Sequence, residues 1–255
     1  LGNPVGVKSY RPFHATGEDF LQNYLGMIGI PMDISPVFPK EDNMILLTES
    51  AKSDPEMVEK IKASLFAGNN VTITSGLLRS LQGKGIEDIV ELDFTNRKAL
   101  VKDFSAGRGA YSHSEKLILI PQIQYLTNDS WEDISSLDGA NGWPVLHQAR
   151  YAKASLFVLT IPDNFADLYH LPAPVLNRIR EVLTMDLEPR IDAQAKVSLF
   201  VYDNNTLIVE SFLPEETKVR IFTNPATSHL TDLVWGEKIE TAGKSTSRIW
   251  GRDAA

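Results

Sequence analysis

Four short, nearly continuous apolar runs mark the first two thirds of the chain: VGVKSY (5–10), MILLTES (44–50), VTIT (71–74) and SLFVLTIP (155–162). Strands buried on both faces have this composition, because neither face needs polar residues. Helical spacing separates them. In RPFHATGEDFLQNYLGMIGIP, Phe20, Tyr24 and Met27 recur on one side. There Thr16 is placed to cap, Glu18 and Asp19 lie near the positive end of the helix dipole, and Gly29 and Pro31 stop the helix. In SDPEMVEKIKASLFAGNN, Ser53 or Asp54 serves as cap, Met57, Val58, Ile61 and Leu65 form the apolar face, and Gly68 ends it. VTIT and GLLRSL repeat the strand–helix unit. DIVEL (88–92) and KLILIP (116–121) add strands, and PAPVLNRIREVLTMDL makes a last helix with Pro172 and Pro174 at its entry. A polar Gly- and Ser-rich stretch (103–115) and a longer one (128–145) read as irregular.

Strands alternating with helices predict an α/β fold of flavodoxin-like type, a mostly parallel sheet with helices on both faces, over residues 1–190. After Arg190 the rhythm changes. KVSLFVYDNNTLIVESF is a hairpin turning at Asp203-Asn204-Asn205, and KVRIFTN and TDLVWGEKIE supply two more strands without a helix. A small antiparallel all-β unit is therefore expected over 193–255.

Composition narrows the functions. Of 255 residues 43% are hydrophobic and the net charge is −8, with no block of Lys or Arg. A packed core is expected, and nucleic acid or an anionic membrane surface is a poor main partner. No apolar stretch approaches the ~20 residues of a membrane span. The opening LGNPVGV has neither an initiator Met nor a secretory apolar region, so a processed form or a piece of a longer protein is expected. Cysteine is absent, which removes thiolate chemistry and leaves cytoplasmic and extracytoplasmic locations equally compatible.

Chemistry centres on VTITSGLLRSL (71–81), where Ser75 sits at a strand-to-helix turn. A nucleophile elbow needs small residues two positions before and after the nucleophile. Ile73 and Leu77 occupy them, so Thr74 or Ser75 is expected to cap the helix instead. For Ser75 the expected contact is a backbone N–H of Leu77 or Leu78.

LLTESAKSDPEMVEKIKASLFAGNNVTITSGLLRSL resembles the core of class I glutamine amidotransferase-like domains, and SLFVLTIPDN is similar to the later strand that carries their His-Pro-Glu motif. The resemblance puts Ser75, Ile161 and Asp163 at the Cys, His and Glu positions. It implies a degenerate site, because Ile161 cannot take a proton. The order of elements also looks like the trimerisation domain of bacterial TIM-barrel β-galactosidases, followed by a C-terminal β-sandwich. That resemblance implies a non-catalytic interaction or oligomerisation domain, with self-association or a fused or partner glycosidase domain. The barrel's catalytic carboxylates do not carry over, since residues 1–190 hold too few βα units for eight.

Other constellations are sparse. His14, His113, His147, His170 and His229 show no metal-ligand spacing, so neither metal nor cofactor is expected. Gly107-Arg108-Gly109 precedes a strand rather than opening a helix, unlike a phosphate loop. Strand ends gather Arg11, His14, Glu49, Ser75, Asp163 and Asn164 at one crevice, which makes a small-molecule or glycan-binding module the second hypothesis. A serine hydrolase using Ser75 is the third. Of Trp131, Trp143, Trp235 and Trp250, Trp143 is expected to be the most exposed. Trp143 with Pro144, and Phe165 with Tyr169 and Leu171, are expected to contribute to an exposed apolar patch.

Overall fold

The structure is a computed structural model and describes residues 2–107, 110–125, 130–139, 141–185, 187–241 and 245–250. The chain begins with β1 (Pro4–Val5), β2 (Val7–Tyr10), α1 (Leu21–Met27), β3 (Met32–Ser35), β4 (Met44–Leu47), α2 (Met57–Ala67), β5 (Asn70–Thr74) and α3 (Ser75–Leu81). Four long strands follow: β6 (Leu92–Ala106), β7 (Tyr111–Tyr125), β8 (Ser130–Asp138) and β9 (Asn141–Tyr151). Then come β10 (Ala154–Leu159), a 3-10 turn (Phe165–His170) and α4 (Ala173–Thr184).

Nine strands form one sheet in the order β3-β2-β4-β5-β10-β9-β8-β6-β7. The first five are parallel, and each of the rest is antiparallel to its neighbour. The four apolar runs are β2, β4, β5 and β10, side by side. Successive residues point to opposite faces, so these strands feed two cores. Leu46, Phe157 and Leu159 pack with Leu21 and Leu25 of α1 and Leu176 and Ile179 of α4. Ile45, Leu47, Ile73 and Val158 pack with Ile61 and Leu65 of α2 and Leu77 and Leu78 of α3.

The flavodoxin-like expectation, a mostly parallel sheet with helices on both faces, is corrected here. The protein is 44% strand against 22% helix, and the sheet is mixed. An antiparallel wing, β6 to β9, stands where further helix-linked strands were expected. The stretches 103–115 and 128–145 are largely strand, not irregular. Ala99 and Val101 of β6 and Ile118 and Ile120 of β7 face the core, while Lys98, Leu100 and Leu117 face out. One-sided strands carry polar residues at alternate positions, which dilutes the apolar signal. DIVEL is not a strand either; a 3-10 turn at Ile86–Asp88 precedes β6. Edge strand β7 curls back on the sheet. Its Leu119 carbonyl accepts from Asp163 N–H (3.0 Å), Ser114 Oγ donates to the His170 carbonyl (2.8 Å), and Tyr125 lies 5.2 Å from the His147 ring. Contacts of this kind shield an edge from strand pairing.

Beyond α4 lie β11 (Arg190–Asp192), β12 (Val197–Tyr202), β13 (Leu207–Ser211), β14 (Thr217–Phe222), β15 (His229–Thr231), β16 (Lys238–Glu240) and β17 (Ser245–Trp250). They form the antiparallel sheets β1-β12-β13, β11-β14-β17 and β15-β16. Asn205, at φ 61°, completes the β12–β13 turn. TDLVWGEKIE is a hairpin rather than one strand. The Asp232 carboxylate accepts from Val234 and Trp235 N–H, and Gly236 takes φ 70°. The expected apolar patch is also corrected. Trp143, Phe165 and Tyr169 pack against the first core, and Leu171 is part of it. Trp235 is well exposed, with Leu233 and Val234 beside it.

One side chain joins the two ends of the chain. Arg180 of α4 is fully buried. Its Nε donates to the Ile28 carbonyl (2.6 Å), Nη1 to Asn177 Oδ1 and the Ala193 carbonyl, and Nη2 to the Gln194 carbonyl (3.1 Å). Burial pulls the guanidinium down to about 9, against the pull of Asp192, so it stays charged at neutral pH. Replacing Arg180 by Met leaves the buried Ile28 and Ala193 carbonyls, and that of the more exposed Gln194, without this donor and is expected to cost about 3 kcal/mol in urea unfolding. Arg180→Lys recovers only part of this, because an ammonium cannot span the same fork.

Candidate functional site

β5 ends at Thr74 and α3 starts at Ser75 with no linker. Thr74 keeps an extended backbone, and its Oγ1 accepts from Leu77 N–H at 3.3 Å, so Thr74 is the cap. The expected Ser75 cap is therefore corrected. Ser75 is already helical, so its hydroxyl points sideways and accepts from Ile161 N–H (3.0 Å) beyond β10. Ser75 is only 3% exposed.

The carboxylate that organises this turn is Glu18, expected in the first turn of a helix. That helix starts later than the Thr16 cap implied. His14, Glu18 and Phe20 take left-handed φ of 59°, 47° and 66°, and α1 begins at Leu21. Glu18 swings across the strand ends instead. Its Oε2 accepts from Thr74 Oγ1 (2.5 Å) and Glu49 N–H (2.8 Å), and its Oε1 from Gly76 N–H (3.2 Å). A Cβ at Gly76 would lie 2.4 Å from Glu18 Oε1, so the glycine is what admits the carboxylate.

Glu18, Glu49, Ser75 and Gly76 line a crevice of about 380 Å³ beyond the carboxyl ends of β5 and β10. Burial raises the Glu18 carboxyl above its usual range despite its three donors, and the nearby Glu49 charge adds to the rise. Burial also pushes Glu49 up, but bonds from Lys52 and Arg79, both 3.0 Å, outweigh it and hold Glu49 low. The opposite wall is the stretch Phe94–Lys98 of β6. Arg79 sits 5.5 Å from the Phe94 ring centroid, and Lys98 pairs with Asp163.

Of the residues read from sequence, the crevice brings together Glu49, Ser75 and Asp163. Arg11 pairs with Asp19 (2.7 Å) and His14 is exposed. Asn164 Oδ1 accepts from Ala166 N–H, capping the 3-10 turn. None of these three lines the crevice. Glu18, Arg79 and the Phe94–Lys98 wall were missed. Gly76, just inside a helix with no local need for glycine, was the available signal. Arg108 and Gly109 of the Gly-rich loop, and the Trp250 side chain, lie outside the described residues. Among the described residues no group of three His, Asp or Glu is placed to hold a metal ion, and no helix is long and apolar enough to cross a membrane.

His147 stands apart, buried on β9 with neither ring nitrogen bonded among the described residues. Burial pulls it down to about 4 from the usual 6.5. The unfolded chain thus takes the proton first. Stability is expected to fall from pH 6.5 toward 4 by on the order of 3 kcal/mol, then level off in this group's contribution. His147→Phe should flatten that segment of the pH–stability curve measured by urea unfolding. At the crevice, Glu18→Gln replaces an acceptor by an amide that cannot serve all three donors. It is expected to cost about 1–3 kcal/mol by the same measurement.

Comparison with known proteins adds the following. The family profile described as the second domain of the uncharacterized protein SSO3021 matches residues 2–164. That for a probable glycosyl hydrolase C-terminal domain matches residues 188–255. No curated protein matches in sequence. Among solved structures the chain is similar to Gan42B, a GH42 beta-galactosidase from G. stearothermophilus, with TM-score 0.52 and 12% identity over 98% of this chain and 41% of that one. It is also similar to the beta-galactosidase of Bacillus circulans sp. alkalophilus, with TM-score 0.51 and 14% identity over 91% of this chain and 35% of that one. The likeness is one of fold, and this chain spans about two fifths of Gan42B. Matched over more than half its length, the chain belongs to the family of the SSO3021 second domain.

Proposed function

We propose that the chain is a non-catalytic accessory unit of carbohydrate-processing machinery, acting by self-association or by supporting a glycosidase domain, fused or separate. The observation that carries this is the extent of the structural likeness: 98% of the chain, with the mixed sheet and the C-terminal strands together, follows part of a β-galactosidase. The turn at Ser75 supports the same conclusion. Its hydroxyl is buried and held by Ile161 N–H, and the Ile161 side chain cannot accept a proton from it. The finer division is a sheet-forming unit over 1–190 and a small β unit over 193–255; the two separate profile matches support it.

Trimerisation is the finer form of self-association. The exposed face of β12 and β13 favours a protein contact: Phe200 and Ile208 are cross-strand partners on it, and both are exposed. Phe200 also borders a groove of about 370 Å³ with Met27, Met32 and Ile34. Grouped apolar side chains of this kind mark interfaces. Sedimentation velocity is expected to show a dimer or trimer that Phe200→Glu dissociates without lowering the melting temperature. A chain that stays monomeric with and without a TIM-barrel β-galactosidase catalytic domain, or that hydrolyses glycosides or esters by itself, overturns the proposal.

A further inference from the structure

We infer that the strand-end crevice binds a neutral saccharide of one or two rings, with Asn96 and Arg97 as its main donors. The first observation is the build of the wall. Between Phe94 and Lys98, β6 breaks register with β7, so Thr95, Asn96 and Arg97 stand against the single residue Gln122. The bulge is held by its own side chains. Thr95 Oγ1 donates to the Gln122 carbonyl (2.8 Å) and accepts from Arg97 N–H (3.2 Å), and Gln122 Nε2 donates to the Lys98 carbonyl (3.1 Å). Bulges next to sites re-aim side chains, and this one sets Asn96 and Arg97 in the crevice lining. Among the described residues neither side chain has a hydrogen bond or ion pair. The two are available for a ligand.

The second observation selects the ligand. Three carboxylates, Glu18, Glu49 and Asp163, and three cations, Arg79, Arg97 and Lys98, line the crevice. Arg79 is paired with Glu49 and Lys98 with Asp163. An anion placed at Arg97 would meet the carboxylates, and a cation would meet Arg97 and its neighbours. A neutral molecule rich in hydroxyls suits both, donating to carboxylate lone pairs and accepting from Asn96 and Arg97. Phe94, half-buried in the same wall with Arg79 over one face of its ring, adds apolar surface for the C–H side of a sugar ring. The volume of about 380 Å³ lies in the range of small-molecule sites.

This inference does not rest on the accessory-unit proposal, and its failure would leave that proposal standing. The test is an amide NMR titration of the full chain with D-glucose, D-galactose, lactose and, separately, inorganic phosphate. At least one sugar should shift amides of residues 95–98 and 161–163 saturably, with Kd about 1 mM. Asn96→Ala with Arg97→Ala should weaken it about tenfold and leave the melting temperature unchanged, since neither side chain bonds within the fold. Three outcomes would overturn the inference: no saturable shift with any sugar, undiminished binding by the double variant, or binding of phosphate at these amides.

Discussion

The fold turns on a buried cation that, among the described residues, forms no ion pair with a carboxylate. Arg180 reaches the carbonyl that follows α1, at Ile28, and those that lead into β12, at Ala193 and Gln194. These carbonyls lie where helix and strand ladders have ended, so no regular partner exists for them. One planar fork closes all three, and Asn177 completes the arrangement by also accepting from Ala193 N–H. Removing a buried guanidinium from water is costly, and only full hydrogen bonding offsets it. The direction of β12 is thus coupled to the packing of α1 and α4. The β1–β12 pairing and the Asn3 bonds to Asp203 tie the beginning of the chain into the same strands. Residues at opposite ends of the sequence become one packed body.

At the crevice two carboxylates sit under opposite constraints. Glu18 is raised, so the unfolded chain releases its proton first, and Glu18 subtracts stability as pH rises from its ordinary value toward the folded one. Glu49 is lowered, and contributes stability above its ordinary value that is lost as pH falls through the folded one. The difference comes from partners. Glu49 meets Lys52 and Arg79, whereas Glu18 meets only neutral donors and lies near the Glu49 charge. Relative to an ordinary carboxyl, the crevice thus favours the ionised form of Glu49 and the protonated form of Glu18.

Four of the five parallel strands were legible, because β4, β5 and β10 are buried on both faces and β2 carries only Lys8 as a charged interruption, and so short a run suits a central strand better than a surface element. The edge strand β3, with Asp33 and Ser35 between its apolar residues, was not. Nor was the wing, because β6 and β7 expose alternate positions over much of their length, bulges interrupt the alternation of β6 and β8, and the buried run of β9 is only Pro144 to His147. Without that alternation Ser- and Gly-rich segments read as loop. Ser75 was placed at the right turn but given the role of its neighbour, since capping depends on which residue keeps extended backbone. Glu18 was hidden for a different reason. Thr16 and Glu18 imitate a helix start, yet Gly17 takes φ 120° and the carboxylate is used at the other helix start, 58 residues later. Local propensity carries no trace of so distant a partner.

Several departures from local rules meet at the crevice: the left-handed Glu18, its carboxylate against Gly76, the β6 bulge, and Asn96 and Arg97, which have no partner among the described residues. Others lie elsewhere, in the left-handed Ala152, Lys196 and Asn205 and the ring of His147, unbonded among the described residues. Each non-glycine left-handed residue costs on the order of 1 kcal/mol. Burial of Glu18 adds to that. Around Arg180, by contrast, every cost is matched by a bond. Proteins concentrate uncompensated local costs where the surface has work to do. A turn whose only task was to join β5 to α3 needs Thr74 as its cap and nothing from Glu18. That the chain nonetheless bends its 14–20 segment to deliver a carboxylate there, and bulges the facing strand toward it, argues for a crevice shaped by what it holds. The Ser75 hydroxyl is held by Ile161 N–H beyond β10, which leaves the wall of the crevice to the residues of the bulge.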